Sequence, residues 1–173
     1  NTTNVTGGSV TTSANGTSTI GSANGTTNVS NVTVAGGNAT VTGANVSTSG
    51  NVSLNTTNSS VNGANVSLGG NVVANNTLAV AGNNITSSAN LTSTNGNVSL
   101  VGNTTSVTGG SITTGTNGSS TIGSANGTTS VSNVTVSGGN ATLTGGNVST
   151  SGNVNLNVTN TSVNATNVSL GGN

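Results

Sequence analysis

The chemistry available to this chain is confined to hydroxyls and carboxamides. Its 173 residues use only Asn, Thr, Ser, Gly, Val, Ala, Leu and Ile, so there is no carboxylate, imidazole, amine, guanidinium or thiol. General acid–base catalysis needs a group whose pKa can be set near the working pH. A Ser or Thr hydroxyl becomes a nucleophile only beside a base. Zinc takes Cys or His, and calcium sites are built on carboxylates. Gly7-Gly8 and Gly36-Gly37 lack the Lys and the strand-to-helix setting of a phosphate loop. The composition thus argues against an enzyme and predicts no cofactor and no metal. What remains is hydrogen bonding: amide ladders, ordered water, and Asn-x-Ser/Thr glycan-acceptor sequons such as Asn4, Asn31, Asn51 and Asn133, which a chain this rich in Asn, Ser and Thr contains freely by chance.

Zero net charge removes the electrostatic attraction that nucleic acids and anionic membranes exert on basic proteins. The longest run of Val, Leu or Ile is two residues, too short to insert into a membrane. The absence of Cys leaves the redox compartment open. Abundant Val and Thr, with no Pro, favour strand, and Gly, Asn, Ser and Thr all disfavour helix. Without Phe, Tyr, Trp or Met, the core these residues can build is a thin stack of aliphatic side chains.

Repetition sets the elements that position the amides. Residues 43–62 and 63–82 share ten of twenty aligned positions, and residues 1–71 align without a gap to 103–173 with 57 identities in 71. Units opening at Gly21, Gly43, Gly63, Gly82, Gly102, Gly123 and Gly145 divide the 102-residue block into five. A unit of about twenty residues with two or three short strands cannot bury its own apolar face, whereas stacked units can. The period therefore predicts an all-β fold, a parallel β-solenoid of about twenty residues per coil and 8 to 9 coils, running as one continuous segment over 1–173. At ~4.8 Å per coil such a rod is roughly 41 Å long. The blocks are 1–102 and 103–173, the second incomplete, which predicts a longer array.

Equivalent apolar positions predict the core stack: Val46, Val66 and Ile85; Val52, Val72 and Leu91; and Val148, Val154 and Val168. Val32-Thr-Val34 and Val134-Thr-Val136 alternate with the period of a half-buried strand. Asn45, Asn65, Asn84, Asn147 and Asn167 stand at equivalent places and predict an internal or corner ladder of amides bonded up and down the stack. Turn chemistry accounts for most other Asn.

Ser49-Gly-Asn-Val-Ser-Leu54, Gly69-Gly-Asn-Val-Val73 and Asn95-Gly-Asn-Val-Ser-Leu100 resemble filamentous haemagglutinin-type exoprotein repeats. The resemblance implies a right-handed parallel β-helix of the kind carried by secreted or surface-tethered bacterial adhesins. The expectation is an extracellular or cell-surface, non-catalytic structural shaft of a fibre or adhesin. Self-association end to end or laterally is expected of an uncharged solenoid, with surface glycans as further partners, and neither nucleic acid nor membrane insertion. The alternative is a Thr/Asn-rich flat face that binds ice or glycans, although Thr positions do not hold register from unit to unit as Val positions do.

Overall fold

A computed structural model describes residues 2–11 and 15–171; the side chains of Val10 and Val134 lie outside what is described. Thirteen strands follow one another, with no helix among the described residues. In chain order they are β1 (Thr2–Thr6), β2 (Ser9–Thr11), β3 (Thr17–Gly21), β4 (Thr26–Ser30), β5 (Val32–Thr48), β6 (Val52–Leu68) and β7 (Val72–Ala74). Then come β8 (Thr77–Ser87), β9 (Leu91–Ser93), β10 (Val98–Thr108), β11 (Ser111–Thr113), β12 (Ser119–Ile122) and β13 (Thr128–Leu170). β5 and β6 are long because the chain rounds corners while staying extended: β5 pairs with β6 over three separate stretches, Val32–Gly36, Asn38–Gly43 and Asn45–Thr48. Every strand pairing is parallel and joins residues 19 to 24 apart, so the chain climbs as a β-solenoid with three faces.

The first face stacks Thr2, Thr26, Asn45, Asn65, Asn84, Thr104 and Thr128 in register. Bonds from Asn147 N to Gly127 O at 3.2 Å and from Gly171 N to Thr150 O at 2.9 Å continue the climb within β13. Steps are 19 or 20 residues except at Thr2 to Thr26 and Thr104 to Thr128, where they are 24. The extra residues lie in the two coils that carry Gly7-Gly8 and Gly109-Gly110. All four of these glycines have positive φ, between 75° and 91°, a region open to Gly at little cost.

Strand alternation turns one residue in two inward, and the inward residues form columns. Val46, Val66 and Ile85 stack on the first face, each no more than 1% exposed. Val52, Val72 and Leu91 stack on the second, below Ile112 and Val136. The third face holds the longest aliphatic column, Ile20–Val41–Val61–Val80–Leu100–Ile122–Leu143, which the sequence reading left out of its core stack. Val148 is buried, Val154 is partly buried against the core, and Val168 is 49% exposed. Val168 is thus not a core residue here: its counterpart Val66 is buried by the coil bearing Ile85, and Val168 stands on the last coil described.

The faces do not close on the same period. On the first face the ladder from Thr2 reaches Thr104, a climb of 102 residues that matches the sequence repeat. On the second the ladder from Ser9 passes Thr33, Ser53, Val73 and Thr92 to reach Thr113, a climb of 104. The column of Val10 arrives at Ser93, yet its sequence copy Ile112 sits on Leu91. A slip of two residues preserves which side chains face inward, and it sets Ile112 on another large aliphatic residue instead of a serine.

Truncation should separate the columns from the surface. Ile85→Ala should lower the stability measured by urea unfolding by about 3 kcal/mol, because it removes contacts above and below. Asn84→Ala, one residue away and facing out, should cost less than about 1 kcal/mol. Equal losses would contradict the assignment of inward and outward faces.

Candidate functional site

No group of His, Cys, Asp or Glu that could hold a metal exists among the described residues. The candidate site is the outer side of the first face, where side-chain amides are bonded from coil to coil. On the first face the strands alternate an inward Val, Ile or Thr with two outward columns. One column is Thr26, Asn45, Asn65, Asn84 and Thr104; the other is Asn28, Ser47, Ser67, Thr86 and Ser106.

Asn65 Nδ2 donates to Asn45 Oδ1 at 2.9 Å, and Asn84 Nδ2 donates to Asn65 Oδ1 at 2.8 Å. Asn167 Nδ2 donates likewise to Asn147 Oδ1 at 2.9 Å. The five residues named from the sequence therefore form two ladders, interrupted by Thr104 and Thr128. All five face solvent, so of the internal or corner ladder expected the internal form is excluded, while Asn45, Asn65 and Asn84 follow the tight corners at Gly43, Gly63 and Gly82. The cause is parity: Val46, Val66, Ile85 and Val148 point inward, so the preceding Asn must point out. Bonds exposed to water contribute modestly, so these ladders orient the amides more than they hold the coils together.

Other amides are tied down in different ways. Asn28 donates to Asn4 at 2.8 Å, Asn58 to Asn38 at 3.2 Å and Asn160 to Asn140 at 2.9 Å. Asn31 and Asn133 adopt positive φ of 53° and 52°, and their Oδ1 atoms accept from the backbone N–H of Asn51 and Asn153 one coil above. Asn tolerates this left-handed region better than most residues, so these two are corner caps, as turn chemistry predicts.

Between the two outward columns runs a shallow groove of about 330 Å³, lined by Asn45, Asn65 and Asn84 on one side and Asn28, Ser47 and Ser67 on the other. Its floor is the backbone of the strands whose Val46 and Val66 side chains are buried beneath. Tight corners hold the columns in place. A Cβ on Gly63 would come 2.8 Å from Gly43 O, and one on Gly82 would come 2.5 Å from Gly63 O. Glycine therefore recurs there because the carbonyl of the coil below occupies the space of a side chain.

Beneath the face lie hydroxyls that the sequence reading did not place in the core. Thr27 and Thr129 are fully buried, and their Oγ1 atoms donate to the corner carbonyls of Thr42 and Thr144 at 2.6 and 2.7 Å. Thr27 stacks directly under Val46, a substitution of β-branched Thr for Val that keeps the column's shape. Thr48 and Ser87 are also buried, but their hydroxyls have no partner in the protein. Both stand in one column, Val29–Thr48–Leu68–Ser87–Val107, where each hydroxyl lies between two aliphatic residues. A buried polar group without a partner costs its desolvation, whereas a partnered one is roughly neutral or better.

Val replacements at the two threonines should then have opposite signs. Thr48→Val should raise unfolding stability by about 1 kcal/mol, and Thr27→Val should lower it by about 1 kcal/mol because it removes the bond donated to the Thr42 carbonyl. Urea midpoints shifting in the same direction for both would disprove this division of the core hydroxyls.

The Gly-Asn-Val segments mark corners of more than one kind. Val52 N donates to Asn71 O at 2.8 Å and Val72 N to Asn90 O at 2.9 Å, so the first two segments open the second face. The third opens the third face, where Val98 pairs with Leu78, and Asn97 O accepts from Leu78 N at 2.9 Å. The chain is a parallel β-solenoid of repeated coils, and no protein family, curated protein or solved structure matches it.

Proposed function

We propose that this chain is a shaft: a non-catalytic structural segment of an extracellular fibre or adhesin that extends by stacking coils. The observation that carries the reading is the aliphatic column from Ile20 to Leu143, which passes through seven successive coils without a polar interruption. Each coil buries its apolar residues only against its neighbours, so length is added without redesign of a core. The surface is hydrated by hydroxyls and amides and holds no charge, which suits a rod whose stability is independent of ionic strength. Likeness of the Gly-Asn-Val segments to filamentous haemagglutinin-type repeats supports an adhesin and a location outside the cell. Ice binding draws no support from the outward column of the first face, where Thr26 gives way to Asn45, Asn65 and Asn84 and returns only at Thr104.

Insertion of one further 102-residue block should lengthen the particle by about 24 Å, five coils at ~4.8 Å each, with no change in cross-section. Small-angle scattering measures both dimensions. The unfolding midpoint should stay constant as NaCl rises from about 0.05 to about 1 M, because no charge exists to be screened. Growth in girth instead of length would rule out the shaft.

A further inference from the structure

We infer that the first face is a lateral docking surface for a second copy of this chain, two rods lying side by side with the Asn45–Asn65–Asn84 ridge of each seated in the groove of the other. This rests on the rod reading above and names the face through which rods would bundle. The ridge forms one wall of the groove, and each of the two walls takes one residue per coil. Their axial repeats are therefore equal, and matching one rung brings the neighbouring rungs into register.

The hydrogen-bonding inventory is self-complementary. A carboxamide carries two N–H donors and an oxygen with two lone pairs. Asn65 spends one N–H on Asn45 and accepts one bond from Asn84. One N–H and one lone pair of Asn65 remain, with its position in the ladder already fixed. An identical amide on a partner offers the matching groups, as do the hydroxyls of Ser47, Ser67 and Thr86 across the groove. No like-charge repulsion opposes the approach of a second copy, because the chain has no charged side chain. Short Asn, Ser and Thr side chains also permit the ~10 Å approach of facing sheets, in which ladders interdigitate and exclude water.

The face is narrow. The groove spans four coils, so a strip roughly 20 Å by 10 Å buries on the order of 200 Å² per copy, about a quarter of what a stable complex buries on each side. Pairing should accordingly be weak for this chain alone and strengthen steeply as rungs are added in series, as multivalent contacts do.

Sedimentation and small-angle scattering of the purified chain over a range of concentrations, at about 0.05 and about 1 M NaCl, test the proposal. The expected result is a species of doubled mass per unit length and unchanged length, equally abundant at both salts. Asn65→Lys should weaken its formation at least tenfold, since it places a charge in the contact. Asn58→Lys, at an equally exposed amide on the third face, should leave it unchanged. A rod that stays monomeric throughout overturns the proposal, as does equal loss of pairing in both variants. Doubled length at constant cross-section means end-to-end growth and also overturns it. A monomeric rod retained on an immobilised neutral polysaccharide, with retention lost in Asn65→Lys, assigns the groove to glycans instead. A globular scattering profile sinks the shaft reading itself, whereas the monomeric rod sinks only the lateral contact.

Discussion

The structure depends on parallel pairing of each coil with the coils above and below. A twenty-residue coil of Val, Ser, Thr, Asn and Gly buries nothing by itself; placed in a stack, its backbone amides bond along the axis and its inward Val, Ile and Leu meet their equivalents. Corner glycines follow from the same constraint. The carbonyl of Gly43 lies where a Cβ of Gly63 would go, and the carbonyl of Gly63 where a Cβ of Gly82 would go. Coils stack this closely only because the side chain is missing. Charge plays no part in holding the rod together.

With no aromatic residue and no Met in the chain, the core admits hydroxyls. Thr27 and Thr129 enter without loss because a corner carbonyl stands within reach, while Thr48, Ser87, Ser18 and Ser120 are buried without a partner. The first face thus joins a mixed core below to an ordered amide surface above. The third face, with its unbroken aliphatic column, supplies the continuity on which length rests.

Much of this is legible in the residues. A twenty-residue period with Val46, Val66 and Ile85 at fixed places is enough to imply stacking, and these three do lie in one register column. The outward direction of Asn45, Asn65 and Asn84 was also within reach, since each precedes an inward aliphatic residue. The third-face column shows only in the near-even spacing of Ile20, Val41, Val61, Val80, Leu100, Ile122 and Leu143, and the Gly-Asn-Val punctuation marks other positions. That motif misleads about phase, because it opens the second face at Val52 and Val72 and the third at Val98. The two-residue slip at Ile112 could not be read from the repeat at all. Ungapped identity aligns Ile112 with Val10, and only packing against Leu91 decides the register.

Methyl nuclear Overhauser contacts in solution report the parallel register. Contacts are expected from Val46 to Val66, from Val66 to Ile85, and from Leu91 to Ile112, with none between Val46 and Ile85, which stand two coils apart. Antiparallel contacts between sequence-adjacent strands, or Ile112 methyls meeting Ser93 in place of Leu91, would contradict the solenoid or its register respectively.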